Sequence, residues 1–152
     1  MSGESTGAAA FVLDASSLLA YLRGEDGGEV VQRILRQCCD SATKAAVTAL
    51  DLLNVYIHAA RARPEMLDDL LSLTSQLPLE VLPVTSETAE AAAKLIASSR
   101  CPKAELAVAM EASVRTGATL VTRDAAALDL AGCLYVGPPP DVAGVSQEMS
   151  KS

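Results

Sequence analysis

Short apolar runs alternate with longer stretches of helical spacing from one end of the chain to the other. The first run, Ala10-Phe11-Val12-Leu13, stops abruptly on Asp14. A continuous run this short reads as a strand buried on both faces. Residues 15–23 then predict a helix that breaks over 24–28. Residues 29–39 predict another, with Val30, Val31, Ile34 and Leu35 at helical spacing. Residues 45–47 are a candidate second strand. Thr48, with Asp51 three residues on, resembles a capping box for a helix running to about Arg61. Pro64 opens the next helix at its first turn, where a missing N–H costs nothing, and that helix carries Met66, Leu67, Leu70, Leu71 and Leu73 before Pro78. Residues 79–83 predict a third strand. Ser86 begins an Ala-rich helix to about Ser99, with Glu87 and Glu90 in its first turn, where the macrodipole favours acids. Pro102 is expected to start a helix ending at Thr116, with Gly117 as its stop. Residues 118–122 and 134–136 complete the set of strands.

Strands of four or five residues separated by helices give an α/β fold in which a parallel sheet is covered on both faces. Ligands in such folds sit outside the carboxyl ends of the strands. Asp14 and Asp124 fall at two of those ends. The expected organisation is a flexible N-terminal segment (1–9), one domain (10–136) and a flexible Pro-rich tail (137–152).

Composition removes several function classes. No stretch approaches the roughly 18 apolar residues of a membrane span, and the first residues lack the basic and apolar regions of a leader, so a cytoplasmic protein is expected. Its four cysteines are then expected to be reduced thiols. None of them has Cys-x-x-Cys spacing and His58 is the single histidine, which argues against zinc. The net charge of −7 argues against a non-specific nucleic-acid coat. Three tyrosines and one phenylalanine leave little for base stacking. No glycine-rich phosphate loop is present. The third strand ends in Leu82-Pro83-Val84-Thr85, without the Asp that a receiver-type domain would phosphorylate.

Asp14-x-Ser16 and Thr122-x-Asp124 each join a carboxylate to a hydroxyl two residues away. Clustered carboxylates suit a hard cation such as Mg²⁺ or Mn²⁺ in phosphodiester chemistry. Without a metal, their mutual repulsion raises some of their pKa values. The run from Val12 to Leu19, Gly27-Gly28, the stretch from Thr48 to Tyr56, and the run from Gly117 to Asp124 together resemble the PIN-domain family, in particular VapC-type ribonuclease toxins. The resemblance implies a three-layer PIN-like sandwich, with a parallel four- or five-stranded sheet flanked by helices. It also implies RNA hydrolysis by acids around Mg²⁺ or Mn²⁺, an antitoxin partner and a homodimer.

Carried over by position, Asp14 and Asp124 are the first and fourth acids and the implied metal ligands. Ser16 and Thr122 are their accompanying hydroxyls. The second acid position, six residues after Thr48, is Asn54, and the third, eleven residues before Gly117, is Leu106. Two of the four ligand positions are therefore uncharged. A relocated quartet is the alternative, with Asp51 one turn before Asn54 and Glu105 beside Leu106. Bland readings stand beside these. Asp14 and Asp124 are also favourable N-caps, Asp51 completes the capping box, and Glu105 reads as an ordinary exposed acid. Arg123 reads either as a phosphate contact or as a solvated side chain. His58 reads as a surface or packing residue. Two functions remain in view: a metal-dependent endoribonuclease weakened or silenced to a pseudoenzyme, and a non-catalytic PIN-like module that binds a protein partner.

Overall fold

Five short strands, β1 (Phe11–Leu13), β2 (Ala45–Thr48), β3 (Leu79–Leu82), β4 (Thr119–Thr122) and β5 (Cys133–Tyr135), form one sheet in the order β3-β2-β1-β4-β5. Every pairing is parallel. The computed structural model describes residues 9–98, 101 and 103–139. Among these residues six helices cover the sheet: α1 (Ala15–Arg23), α2 (Gly28–Ser41), α3 (Ala49–Ala62), α4 (Leu67–Gln76), α5 (Ser86–Ser98) and α6 (Ala104–Thr116). The three-layer arrangement and the fifth strand agree with the expected α/β fold.

Alternation along the strands divides the core in two. Val12, Ala46 and Leu120 face one way and pack with Ala92 of α5 and with Leu106, Ala107, Ala109 and Ala112 of α6. Leu13, Ala45 and Val121 face the other way, against Leu18 of α1, Val31, Ile34 and Leu35 of α2, and Val55 of α3. Each fully buried Val or Leu contributes roughly 1.5–3 kcal/mol of transfer free energy. The small side chains of α6 let it lie close to both the sheet and α5. It is buried without interruption from Leu106 to Ser113. Glu111 tolerates that position because Arg115, one turn on, meets both of its oxygens at 2.9 and 3.2 Å.

Glycines decide two corners. A Cβ on Gly28 would lie 2.5 Å from the carbonyl oxygen of Ala20, so α2 can start against α1 only because this residue has none. Gly117 ends α6 in the left-handed conformation (φ 73°), its N–H reaching the carbonyls of Ser113 and Val114.

Several boundaries differ from expectation. The last strand begins one residue early, at Cys133, because the register pairs Leu120 with Cys133 and Thr122 with Tyr135. Pro64 opens a 3-10 turn, Pro64–Met66, that leads into α4. Thr85 caps α5, its hydroxyl accepting from the Thr88 N–H at 3.2 Å. The expected helix ends at Ser99 and Pro102 lie outside the described residues, as do residues 1–8 and 140–152; α6 is entered from Lys103 as its N-cap. Ala9 is buried against the core. Cys38, Cys39 and Cys133 are free thiols, Cys38 buried and its neighbour Cys39 exposed. Among the described residues no helix is long and apolar enough to cross a membrane.

Candidate functional site

β1 and β4 are neighbours, and their register sets Leu13 beside Val121. The next residues, Asp14 and Thr122, therefore emerge together at the carboxyl edge of the sheet. Asp14 is buried and caps α1 by a reciprocal pair of bonds with Ser17. Its Oδ1 accepts the Ser17 N–H at 2.9 Å, and its own N–H donates to Ser17 Oγ at 3.2 Å. The Ser16 hydroxyl also donates to Oδ1, at 2.7 Å. The other oxygen, Oδ2, accepts the hydroxyl of Thr122.

Here the expected pairing is corrected. The Thr122 hydroxyl serves the Asp14 carboxylate and reaches Asp124 only through that residue's backbone N–H, at 3.0 Å. Spacing along one strand suggested the nearer acid; the neighbouring strand supplied the partner. Ser16 completes the link by accepting the Arg123 N–H at 2.8 Å. Removal from water raises the Asp14 pKa, and the bonds from Thr122, Ser17 and Ser16 oppose that rise.

The start of α3 brings in Asp51, which is 3% exposed. The Thr48 hydroxyl caps the helix by accepting the Asp51 N–H at 3.1 Å. The expected return bond of a capping box takes another form. Asp51 Oδ2 accepts the Thr48 hydroxyl at 3.0 Å, and Oδ1 accepts the N–H of Ala15, at the start of α1, at 3.1 Å. Asp51 thus ties two helix starts together. Burial first, and the nearby Asp14 second, push its pKa up to about 7. Glu105 adds a smaller push in the same direction.

These residues open onto one cleft of about 470 Å³. Asp14, Asp51, Asn54, Glu105, Leu106 and Asp124 all line it, so every acid position weighed from sequence, charged or not, faces the same space. Leu106 is a buried wall, 3% exposed, and Glu105 is exposed at the rim. Asp124 caps the following 3-10 turn, Ala125–Asp129, its Oδ1 accepting the Ala126 N–H at 3.0 Å. Its Oδ2 meets the Lys103 ammonium at 2.9 Å. Arg123 reaches Glu25 at 3.1 Å across the mouth. His58 is exposed on the rim.

Lys103, Glu25 and Arg23 were not singled out by sequence. Lys103 had a usable signal, since it stands three residues before Leu106, at the N-cap of the helix that carries it. The carboxylates do not form a ready cage for a divalent ion. Both oxygens of Asp14, Asp51 and Asp124 already accept hydrogen bonds or an ion pair from the protein. Among the described residues no three His, Cys, Asp or Glu side chains converge as a group able to hold a metal.

Comparison with known proteins agrees with this architecture. The PIN domain family model matches residues 11–132. No curated protein matches the sequence. Among solved structures, a toxin–antitoxin complex from Klebsiella pneumoniae is similar at a TM-score of 0.62 and 14% identity, over 84% of this chain and 98% of that one. VapBC2 from Rickettsia felis, bound to a DNA fragment from its promoter, gives 0.63 and 12%, over 85% and 98%. VapC20 from Mycobacterium tuberculosis, a toxin that cleaves the sarcin–ricin loop, gives 0.61 and 16%, over 84% and 99%. At these identities the likeness concerns the fold.

Proposed function

The chain belongs to the PIN domain family, and from that premise we propose that it is a VapC-like protein whose metal-dependent endoribonuclease activity is weak or silent. The observation that carries this reading is the makeup of the cleft. Asn54 and Leu106 stand where the family resemblance calls for acids, and both line the same cleft as Asp14 and Asp124. Mg²⁺ and Mn²⁺ are held by charged oxygens in near-octahedral geometry. Leu106 offers no donor, Asn54 offers no charge, and the carboxylates of Asp14, Asp51 and Asp124 are engaged by protein groups. The relocated quartet of Asp14, Asp51, Glu105 and Asp124 supports metal binding poorly, because Asp51 is turned to Thr48 and Ala15.

The test is cleavage of a mixed RNA substrate in Mn²⁺ or Mg²⁺, with Asp14→Asn alongside. We expect the wild type to cleave no faster than the variant. Metal-dependent cleavage that Asp14→Asn abolishes would overturn this reading and restore the active nuclease.

A second reading, a PIN-like module that acts by binding a protein, is favoured by one feature. An apolar cleft of about 320 Å³, lined by Leu19, Leu22, Met66, Leu70 and Leu73, adjoins the acidic one and shares Leu19, Arg23 and His58 with it. Two of the similar structures are complexes of a toxin with its antitoxin, and an antitoxin-like chain is the partner we assign here. A second copy of the chain is the further partner, through the exposed Leu53, Leu71 and Val81 of α3, α4 and β3. Binding of single-stranded RNA in the presence of a chelator separates the two readings, since only a silent nuclease keeps an RNA surface.

A further inference from the structure

Five carboxylates line the acidic cleft, namely Asp14, Glu25, Asp51, Glu105 and Asp124. Against them stand three arginine and lysine side chains, Arg23, Lys103 and Arg123, with His58 on the rim. Arg123 is committed to Glu25 at the mouth. Lys103 is placed differently. Its ammonium lies 2.9 Å from Asp124 Oδ2, beside an acid that neither α1 nor α3 encloses. α6 sets it there from its N-cap position, one turn before Leu106. The helix that should deliver the third acid to a cation therefore delivers a cation to the fourth acid, with an apolar wall behind it.

We propose that Lys103 is the resident cation of this cleft, taking at Asp124 the place a divalent ion would occupy. The proposal rests on the reading of the chain as a weak or silent PIN nuclease, and it says what replaced the metal. A dication at Asp124 must displace the ammonium from the carboxylate and then sit near that positive charge, so both the lost ion pair and the like-charge repulsion oppose it. The ammonium is tethered, and no concentration of chelator removes it. The cleft is therefore partly neutralised in the absence of any metal, and its order does not depend on one.

The test is calorimetric titration with MnCl₂ alone, at neutral pH and with no RNA present. Wild type, Lys103→Met, Lys103→Arg and the double variant Lys103→Met with Asp124→Asn are compared. The Lys103 side chain is 57% exposed, so these replacements should leave the fold intact, and circular dichroism checks that they do. We expect Lys103→Met to bind Mn²⁺ at least tenfold more tightly than wild type. Lys103→Arg, which keeps a cation, should behave like wild type, and the double variant should lose the gain. Equal affinity in wild type and Lys103→Met, including no binding by either, would overturn the proposal. So would a gain that survives Asp124→Asn. RNA cleavage by the wild type would instead sink the silent-nuclease reading while leaving this comparison of affinities standing, so the two failures are told apart.

Discussion

Asp14 shows how much one carboxylate depends on its neighbours. A buried acid is tolerated where several donors meet it, and here Ser16, Ser17 and Thr122 do so. Thr122→Val keeps the shape of the side chain but leaves Asp14 Oδ2 and the Asp124 N–H without that partner. A loss of about 2–3 kcal/mol is expected in urea unfolding, since hydrogen bonds to charged groups and buried unpaired groups are of that order. Asp51 makes a prediction of opposite sign. Its pKa is raised in the fold from 3.8 to about 7, so the folded state holds a proton that the unfolded state releases. The fold is favoured by this group most below pH 3.8. That advantage is lost as pH rises toward 7, at about 1.4 kcal/mol per unit. Asp51→Asn keeps an acceptor for the Ala15 N–H and removes the charge. Its melting temperature should exceed that of wild type at pH 8 and vary less between pH 4 and 7; a lower value at pH 8 would contradict this account.

At the scale of elements, the sequence was most legible where geometry is local. The alternation of short apolar runs with helical spacing located the five strands and six helices of the described residues. It is firmest for the central β1, β2 and β4, since a strand buried on both faces needs an apolar run whatever surrounds it. Ends were read less well. β5 begins where its register with β4 requires, and that register cannot be seen from residues 133–136 alone. The corner between α1 and α2 gives the prediction at this scale. A methyl group on Gly28 meets the backbone of Ala20 and Tyr21, which cannot move aside without shifting α1. Gly28→Ala should therefore cost about 2–3 kcal/mol in thermal or urea unfolding. Gly24→Ala meets nothing within 4 Å, and only its positive φ of 67° opposes it, so a loss of about 1 kcal/mol is expected there.

For the molecule as a whole, the two faces of the sheet are closed by different means. α5 and α6 seal one with small residues, while α3, α4 and the edge strand β3 leave Leu53, Leu71 and Val81 exposed. An exposed apolar patch beside an open strand edge is a surface that association would cover. If a second copy covers it, light scattering should report a dimer for the wild type and a monomer for Leu71→Arg with an unchanged circular dichroism spectrum. A monomeric wild type would remove the homodimer from the proposed function.

The sequence by itself determined the parallel α/β architecture, the family, and the two acids at the strand ends. The strands, helices and strand-end acids follow from patterns within a few consecutive residues, fixed by backbone geometry and burial, and the family from the order and spacing of four such stretches. The tertiary structure alone decided which groups those acids would meet. Thr122 reaches Asp14 across 108 residues, Ala15 reaches Asp51 across 36, and Lys103 reaches Asp124 across 21. Strand order and register create such contacts, and separation along the chain carries no record of them. Burial, and then the neighbouring Asp14, sets the protonation of Asp51, and an ion pair sets the partner of Asp124, and so the character of the cleft.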